Sequence, residues 1–172
     1  MSFKDIEKNF FGRGDILSLL KRRVVALKSG YRQNVALIGN QYLGKSALLT
    51  HFVHYLEDED VTVIYLDLEN KDFHYFYSKF IGSLLYEYSK NVRLPLHEDL
   101  NLLLASVRPK IPHTVDVITR IKEDYSKGKF SDVYLGLLAL VEVFTNETGQ
   151  FCVLIIDEFQ IIEEFAIEGA FI

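Results

Sequence analysis

Apolar residues along this chain fall into two patterns, helical spacing and short continuous runs. In residues 15–27, Ile16, Leu17, Leu19, Leu20, Val24 and Leu27 fall at helical spacing. Asp15 is placed to cap that helix, and Ser29-Gly30 to end it. Residues 34–38, Asn-Val-Ala-Leu-Ile, form a short continuous apolar run, the pattern of a strand buried on both faces. A loop over 39–44 leads into a helix over 45–56, with Leu49, Phe52, Val53 and Leu56 on one face, closed by the acidic turn 57–60. A second strand is expected over 61–66, bounded by Asp67. Asp72 then caps a long helix whose stripe is Phe73, Phe76, Tyr77, Phe80, Leu84, Leu85 and Tyr88, read as core. All three prolines (Pro95, Pro109, Pro112) fall in residues 91–113, which therefore read as the irregular part. A modest helix over 115–125 follows, then a Lys127-Gly128-Lys129 turn. A further helix starts at Asp132 and runs apolar through Phe144, and Thr148-Gly149-Gln150 breaks it. Residues 151–156 are the third strand. Apolar strands separated by helices imply an α/β fold with a parallel sheet.

Composition narrows the class. At 172 residues, 49% hydrophobic and 25% charged, the chain has ample apolar surface for one core, so extensive disorder is excluded. The lone Cys152 excludes an internal disulfide and a cysteine-based zinc cage, and fits a reducing compartment. The longest clean apolar run, residues 133–141, is nine residues and ends at Glu142, whereas a membrane span needs about 20. Lys4, Asp5, Glu7 and Lys8 stand where a signal peptide needs an apolar core, so a cytoplasmic protein with no membrane partner is expected. The net charge of −5 divides unevenly: residues 1–50 carry nine Lys/Arg and three Asp/Glu, a net +6, and the rest carry −11. Overall acidity argues against broad coating of nucleic acid, and Lys21, Arg22, Arg23 and Lys28 read as a solvated helix face.

The chemistry concentrates at Gly39-Asn40-Gln41-Tyr42-Leu43-Gly44-Lys45-Ser46, a full match to G-x-x-x-x-G-K-[ST] between an apolar strand and an amphipathic helix. Glycine at 39 and 44 lets the backbone curl and approach phosphate oxygens. The first amides of the helix, from Gly44, Lys45, Ser46 and Ala47, have no helical partner and point at an anion. Lys45 is expected to reach the β and γ phosphates, and the Ser46 hydroxyl to bind Mg²⁺. A second signal is the apolar run 151–156 ending in Asp157-Glu158, a Walker B pattern. In a parallel sheet those side chains emerge at the carboxyl edge, where ligands bind. Asp157 would hold Mg²⁺ through water, and Glu158 would orient the attacking water as general base.

With Phe10-Phe11-Gly12-Arg13 and Leu17 ahead of the loop, and Asp157-Glu158-Phe159-Gln160 behind the last strand, the chain resembles P-loop ATPases of the AAA+/STAND type, near the archaeal-type and origin-recognition-like ATPases. The resemblance implies a three-layer P-loop fold of the ASCE type with sheet order 5-1-4-3-2. It implies Mg-ATP as cofactor, an adenine pocket lined by Phe11, Gly12 and Arg13, and action through homo-oligomers or protein partners, with nucleic acid a partner of some relatives. Ile16 departs from the glutamate usual in that box. Strands 4 and 5, the sensor residue and the helical lid have no counterpart in the 14 residues after Glu158. Residues 1–172 therefore read as the N-terminal part of one ATPase domain with an insertion over 91–130. The expected function is ATP binding and hydrolysis driving a conformational switch. The alternatives are a non-catalytic remnant and, further off, a P-loop kinase. The sequence places no third ligand beside His51 and His54, and selects none of Arg93, Arg108 and Arg120 as an arginine finger.

Overall fold

The computed structural model describes residues 13–40, 43–56, 58 and 60–167. The chain divides into two compact units at Asp58.

Among the described residues the first unit holds two helices. Helix α1, Gly14–Lys28, buries Leu20 and Val24. Asp15 lies inside its first turn and Arg13 takes the N-cap position, so the acid serves the helix dipole rather than a cap. The C-terminus closes as a Schellman motif: Gly30 takes a left-handed φ of 86°, Gly30 N–H donates to Leu27 O at 2.9 Å, and Tyr31 N–H to Ala26 O at 2.8 Å. Helix α2, Lys45–Tyr55, buries Leu48 and Phe52 and packs on α1. Lys28 ties the end of α1 to Asp58 through a 2.8 Å ion pair. The strand expected over 34–38 is not formed. Residues 31–40 carry no regular structure, and Ile38 is 89% exposed. An apolar run becomes a strand only against a neighbour's backbone, and among the described residues the sole ladder joins two other segments.

The second unit is built on that ladder. Strands β1, Val61–Asp67, and β2, Phe151–Asp157, pair in parallel from Val61↔Phe151 to Asp67↔Asp157. Phe151 N–H extends the ladder to Asp60 O at 2.8 Å, and Leu68 N–H to Asp157 O at 3.2 Å. Alternation puts Thr62, Ile64 and Leu66 on one face, all fully buried, with Cys152, Leu154 and Ile156 beside them. That face meets helix α3, Phe73–Asn91, which contributes Phe76, Phe80, Ile81, Leu84 and Leu85 to the core. Asp72 caps α3 as expected, accepting from Tyr75 N–H at 2.8 Å.

The proline-bearing stretch is more regular than its sequence suggests. Helix α4, Leu100–Val107, starts at Asp99, whose carboxylate accepts from Asn101 and Leu102 N–H, each at 2.9 Å. Helix α5, Pro112–Ser126, has Pro112 in its first turn, where a missing N–H costs nothing. The prolines thus punctuate helices rather than prevent them. Helix α6, Phe130–Thr148, packs along α5. Gly136 allows the close approach, since a Cβ there would lie 3.0 Å from Ile121 Cγ1. Gly149, left-handed at φ 73°, ends α6 and delivers the chain to β2. A 3₁₀ segment, Phe159–Phe165, follows β2 and buries Ile162. Among the described residues no helix is long and apolar enough to cross a membrane.

Candidate nucleotide site

The phosphate-loop residues lie in the first unit. Gly44 precedes α2 in the left-handed region, φ 72° and ψ 30°, a conformation that strongly favours glycine. No side chain caps the helix at that position, so the opening N–H groups carry no side-chain cap from Gly44. The Lys45 ammonium turns back over the loop and donates to Gly39 O at 2.9 Å and Asn40 O at 3.1 Å. Its charge is thereby held over the loop's own backbone. Ser46 and Ala47 are exposed on the first turn. Arg13 belongs to the same assembly: its Nη2 donates to Leu43 O, and a Cβ on Gly44 would lie 4.0 Å from that nitrogen. The structure thus brings Arg13 to the loop's backbone. Phe11, Gly12, Gln41 and Tyr42 lie outside the described residues.

The carboxylates lie in the second unit, at the carboxyl ends of β1 and β2. Asp157 is only 4% exposed. Glu158 N–H donates to its Oδ1 at 3.1 Å, and the Tyr65 hydroxyl donates to its Oδ2 at 3.1 Å. Glu158 is half-buried, has a left-handed backbone at φ 55°, and accepts from Gln160 Nε2 through Oε2. Such a conformation is costly for a residue with a side chain. It is the turn that swings the chain from β2 into the 3₁₀ segment. Asp67 is exposed at the end of β1, and its Oδ1 accepts from Glu69 N–H at 3.0 Å. Burial and the nearby negative Asp67 raise the Tyr75 phenol above its ordinary range. Burial also pushes the Cys152 thiol up to about 12, so it stays a protonated packing group.

Tyr65 was not singled out from the sequence. Strand alternation places it on the face of Asp67, and the parallel register makes Asp157 its diagonal neighbour. The alternation is readable in the sequence; the register is not. Gln160, read only as part of a family ending, here bonds Glu158.

The buried Asp157 carboxylate, with one donor on each oxygen, keeps lone pairs for further contacts, and a carboxylate oxygen is the donor type that hard divalent cations take. Among the described residues no group of three or more His, Cys, Asp or Glu is placed to hold a metal ion by itself.

No curated protein and no solved structure matches the chain. The family model described as an AAA ATPase domain matches residues 9–166, a span running from before Arg13 to beyond the 3₁₀ segment. With a glycine-bounded loop opening onto a helix and a buried aspartate ending a parallel strand, the chain belongs to the AAA ATPase domain family.

Proposed function

We propose that this chain binds ATP with Mg²⁺ and hydrolyses it as a conformational-switch module. One observation carries the reading: left-handed Gly44 opens α2, and the Lys45 ammonium is held over the loop that would receive the phosphates. In this reading the amides of Gly44, Lys45, Ser46 and Ala47 receive phosphate oxygens. Lys45 leaves the Gly39 and Asn40 carbonyls for the β and γ phosphates, exchanging neutral acceptors for charged ones. Gln41 and Tyr42 complete the loop. Arg13, bonded to Leu43 O, steadies the loop beside Phe11 and Gly12 of the adenine pocket. Ser46 and Asp157 would hold Mg²⁺, which when bound neutralises charge developing on the phosphates. Glu158 orients the attacking water and takes its proton. Gln160, bonded to Glu158, supports that carboxylate.

In the 5-1-4-3-2 order, β1 and β2 correspond to strands 2 and 3, which are neighbours there, and their parallel pairing supports this. A cytoplasmic site of action, with a homo-oligomer or protein partner, belongs to the same reading.

A second reading has its own observation. Among the described residues, 34–38 form no strand, so the segment that should anchor the phosphate loop is not held in a ladder. A non-catalytic remnant that binds nucleotide weakly or not at all follows, because misplacement by about 1 Å can cost ~100-fold in rate.

The test is a thermal shift of the 172-residue chain with Mg-ATP, alongside phosphate release, for wild type, Lys45→Ala and Glu158→Gln. The ATPase reading expects a shift that Lys45→Ala abolishes and turnover that Glu158→Gln abolishes without losing the shift. Turnover rejects the second reading. A weak shift or none, without turnover, selects it.

A further inference from the structure

We propose that Tyr65 is a positioning residue for Asp157: its phenol hydroxyl fixes the carboxylate in the orientation that receives the divalent cation. The inference rests on the nucleotide-binding reading and adds a residue to it.

The argument is geometric. Tyr65 and Asp157 stand on adjacent parallel strands, and Tyr65 pairs in register with Ile155. Asp157 is therefore its diagonal neighbour on the same face, a separation that an aromatic side chain spans. The observed bond, Tyr65 Oη to Asp157 Oδ2 at 3.1 Å, closes that diagonal. The phenol hydroxyl donates and the carboxylate oxygen accepts. The other oxygen is held by Glu158 N–H at 3.1 Å. One donor on each oxygen defines the carboxylate plane, and 4% exposure leaves little water to replace either. The Glu158 amide is fixed by the backbone. Tyr65 is thus the side chain whose hydroxyl sets the second contact. Groups holding a metal-binding carboxylate in this way typically govern metal affinity by 10- to 100-fold. Tyr65→Phe keeps the ring and its packing and removes only that donor.

The experiment measures free Mn²⁺ by electron paramagnetic resonance over the 172-residue chain saturated with an unhydrolysable ATP analogue. Wild type, Asp157→Asn and Tyr65→Phe are compared, and affinity for a fluorescent form of the analogue is measured in EDTA. The expected result is Mn²⁺ affinity lowered about 10-fold or more by Tyr65→Phe, with metal-free nucleotide affinity unchanged. A merely structural role would lower both together, and that result overturns the proposal. Equal Mn²⁺ affinity for wild type and Tyr65→Phe, with Asp157→Asn weakened, overturns it while the parent reading stands. No Mn²⁺ binding by wild type, or none lost in Asp157→Asn, rejects the parent reading and the proposal with it. Should Tyr65→Phe fail to fold, 3-fluorotyrosine at position 65 keeps the hydroxyl. Its fluorine resonance must move when Mg²⁺ joins the nucleotide-loaded chain, and a fixed resonance overturns the proposal.

Discussion

Asp67 and Asp157 are register partners at the carboxyl ends of two parallel strands, one exposed and one buried. Neighbouring strands lie about 4.8 Å apart, so the two aspartates stand side by side at the end of the ladder. Like charges directly opposite on a sheet cost roughly 0.2–1 kcal/mol. Asp67→Asn removes the charge and keeps the oxygen that Glu69 N–H uses. It should stabilise the metal-free chain by up to about 1 kcal/mol in urea unfolding. The Tyr75 phenol, raised by burial and then by Asp67, should ionise at lower pH in the variant.

Helix α5 begins without a cap from its own N-cap residue, Ile111. Glu147 of α6 does that work instead: it accepts from His113 N–H at 2.8 Å, Thr114 N–H at 2.7 Å and the Thr114 hydroxyl at 2.6 Å. Burial pushes its carboxyl up, but these bonds and the His113 charge prevail and hold it below the usual range. Glu147→Ala should cost about 1–2 kcal/mol near neutral pH. A depressed carboxyl gives stability that is present above pH 4.5 and lost as pH falls through its lower folded value. The gap between wild type and Glu147→Ala should therefore narrow in acid, as urea midpoints across that range will show.

At Gly136 and Ile121, helices α5 and α6 leave no room for a side chain. Gly136→Val forces two branches into Ile121 and should destabilise by about 1–3 kcal/mol. Gly136→Ala adds one atom, 3.0 Å from Ile121 Cγ1. Paired with Ile121→Ala it should cost less than the two single changes summed, because the added methyl enters the space the truncation leaves. Thermal melts of the singles and the double give the comparison.

Burial raises the phenols of Tyr75, Tyr77, Tyr88 and Tyr134 in the folded chain. Each helps the native state below the ordinary tyrosine value of 10.0 and loses that contribution as pH climbs through its raised folded value. Stability should be flat from neutral pH to about 8 and fall beyond it, first as pH passes the ordinary thiol value of 9.0 for buried Cys152 and then through the phenols. Tyr77→Phe, which removes one such group, should fall less steeply.

Much of the second unit was legible in the sequence because its signals are local. The runs 61–66 and 151–156 are strands to within a residue, and Asp72 caps α3 as its position suggests. Helix α4 was missed because Pro95 and Pro109 outweighed a short apolar stretch, although Asp99 was there to start it. The run 34–38 carries strand composition but makes no strand, since pairing is a property of two segments and not of one. The Gly39–Ser46 pattern was fully visible, and so was Asp157 as a strand end. The contacts of Tyr65 with Asp157 and of Glu147 with Thr114 depend on register and helix packing across 92 and 33 residues, which no local pattern encodes.

The register Val61↔Phe151 also sets an order of events during synthesis. Partners ninety positions apart cannot meet until the intervening helices have left the ribosome. Helices form from near neighbours quickly, whereas long-range parallel pairing is slow. The nascent β1 edge must wait with its amides unpaired, a vulnerable interval in which chaperone binding or aggregation competes with folding. The carboxyl edge that bears Asp67 and Asp157 is thus assembled late, and any chemistry placed there can begin only once β2 has emerged and paired.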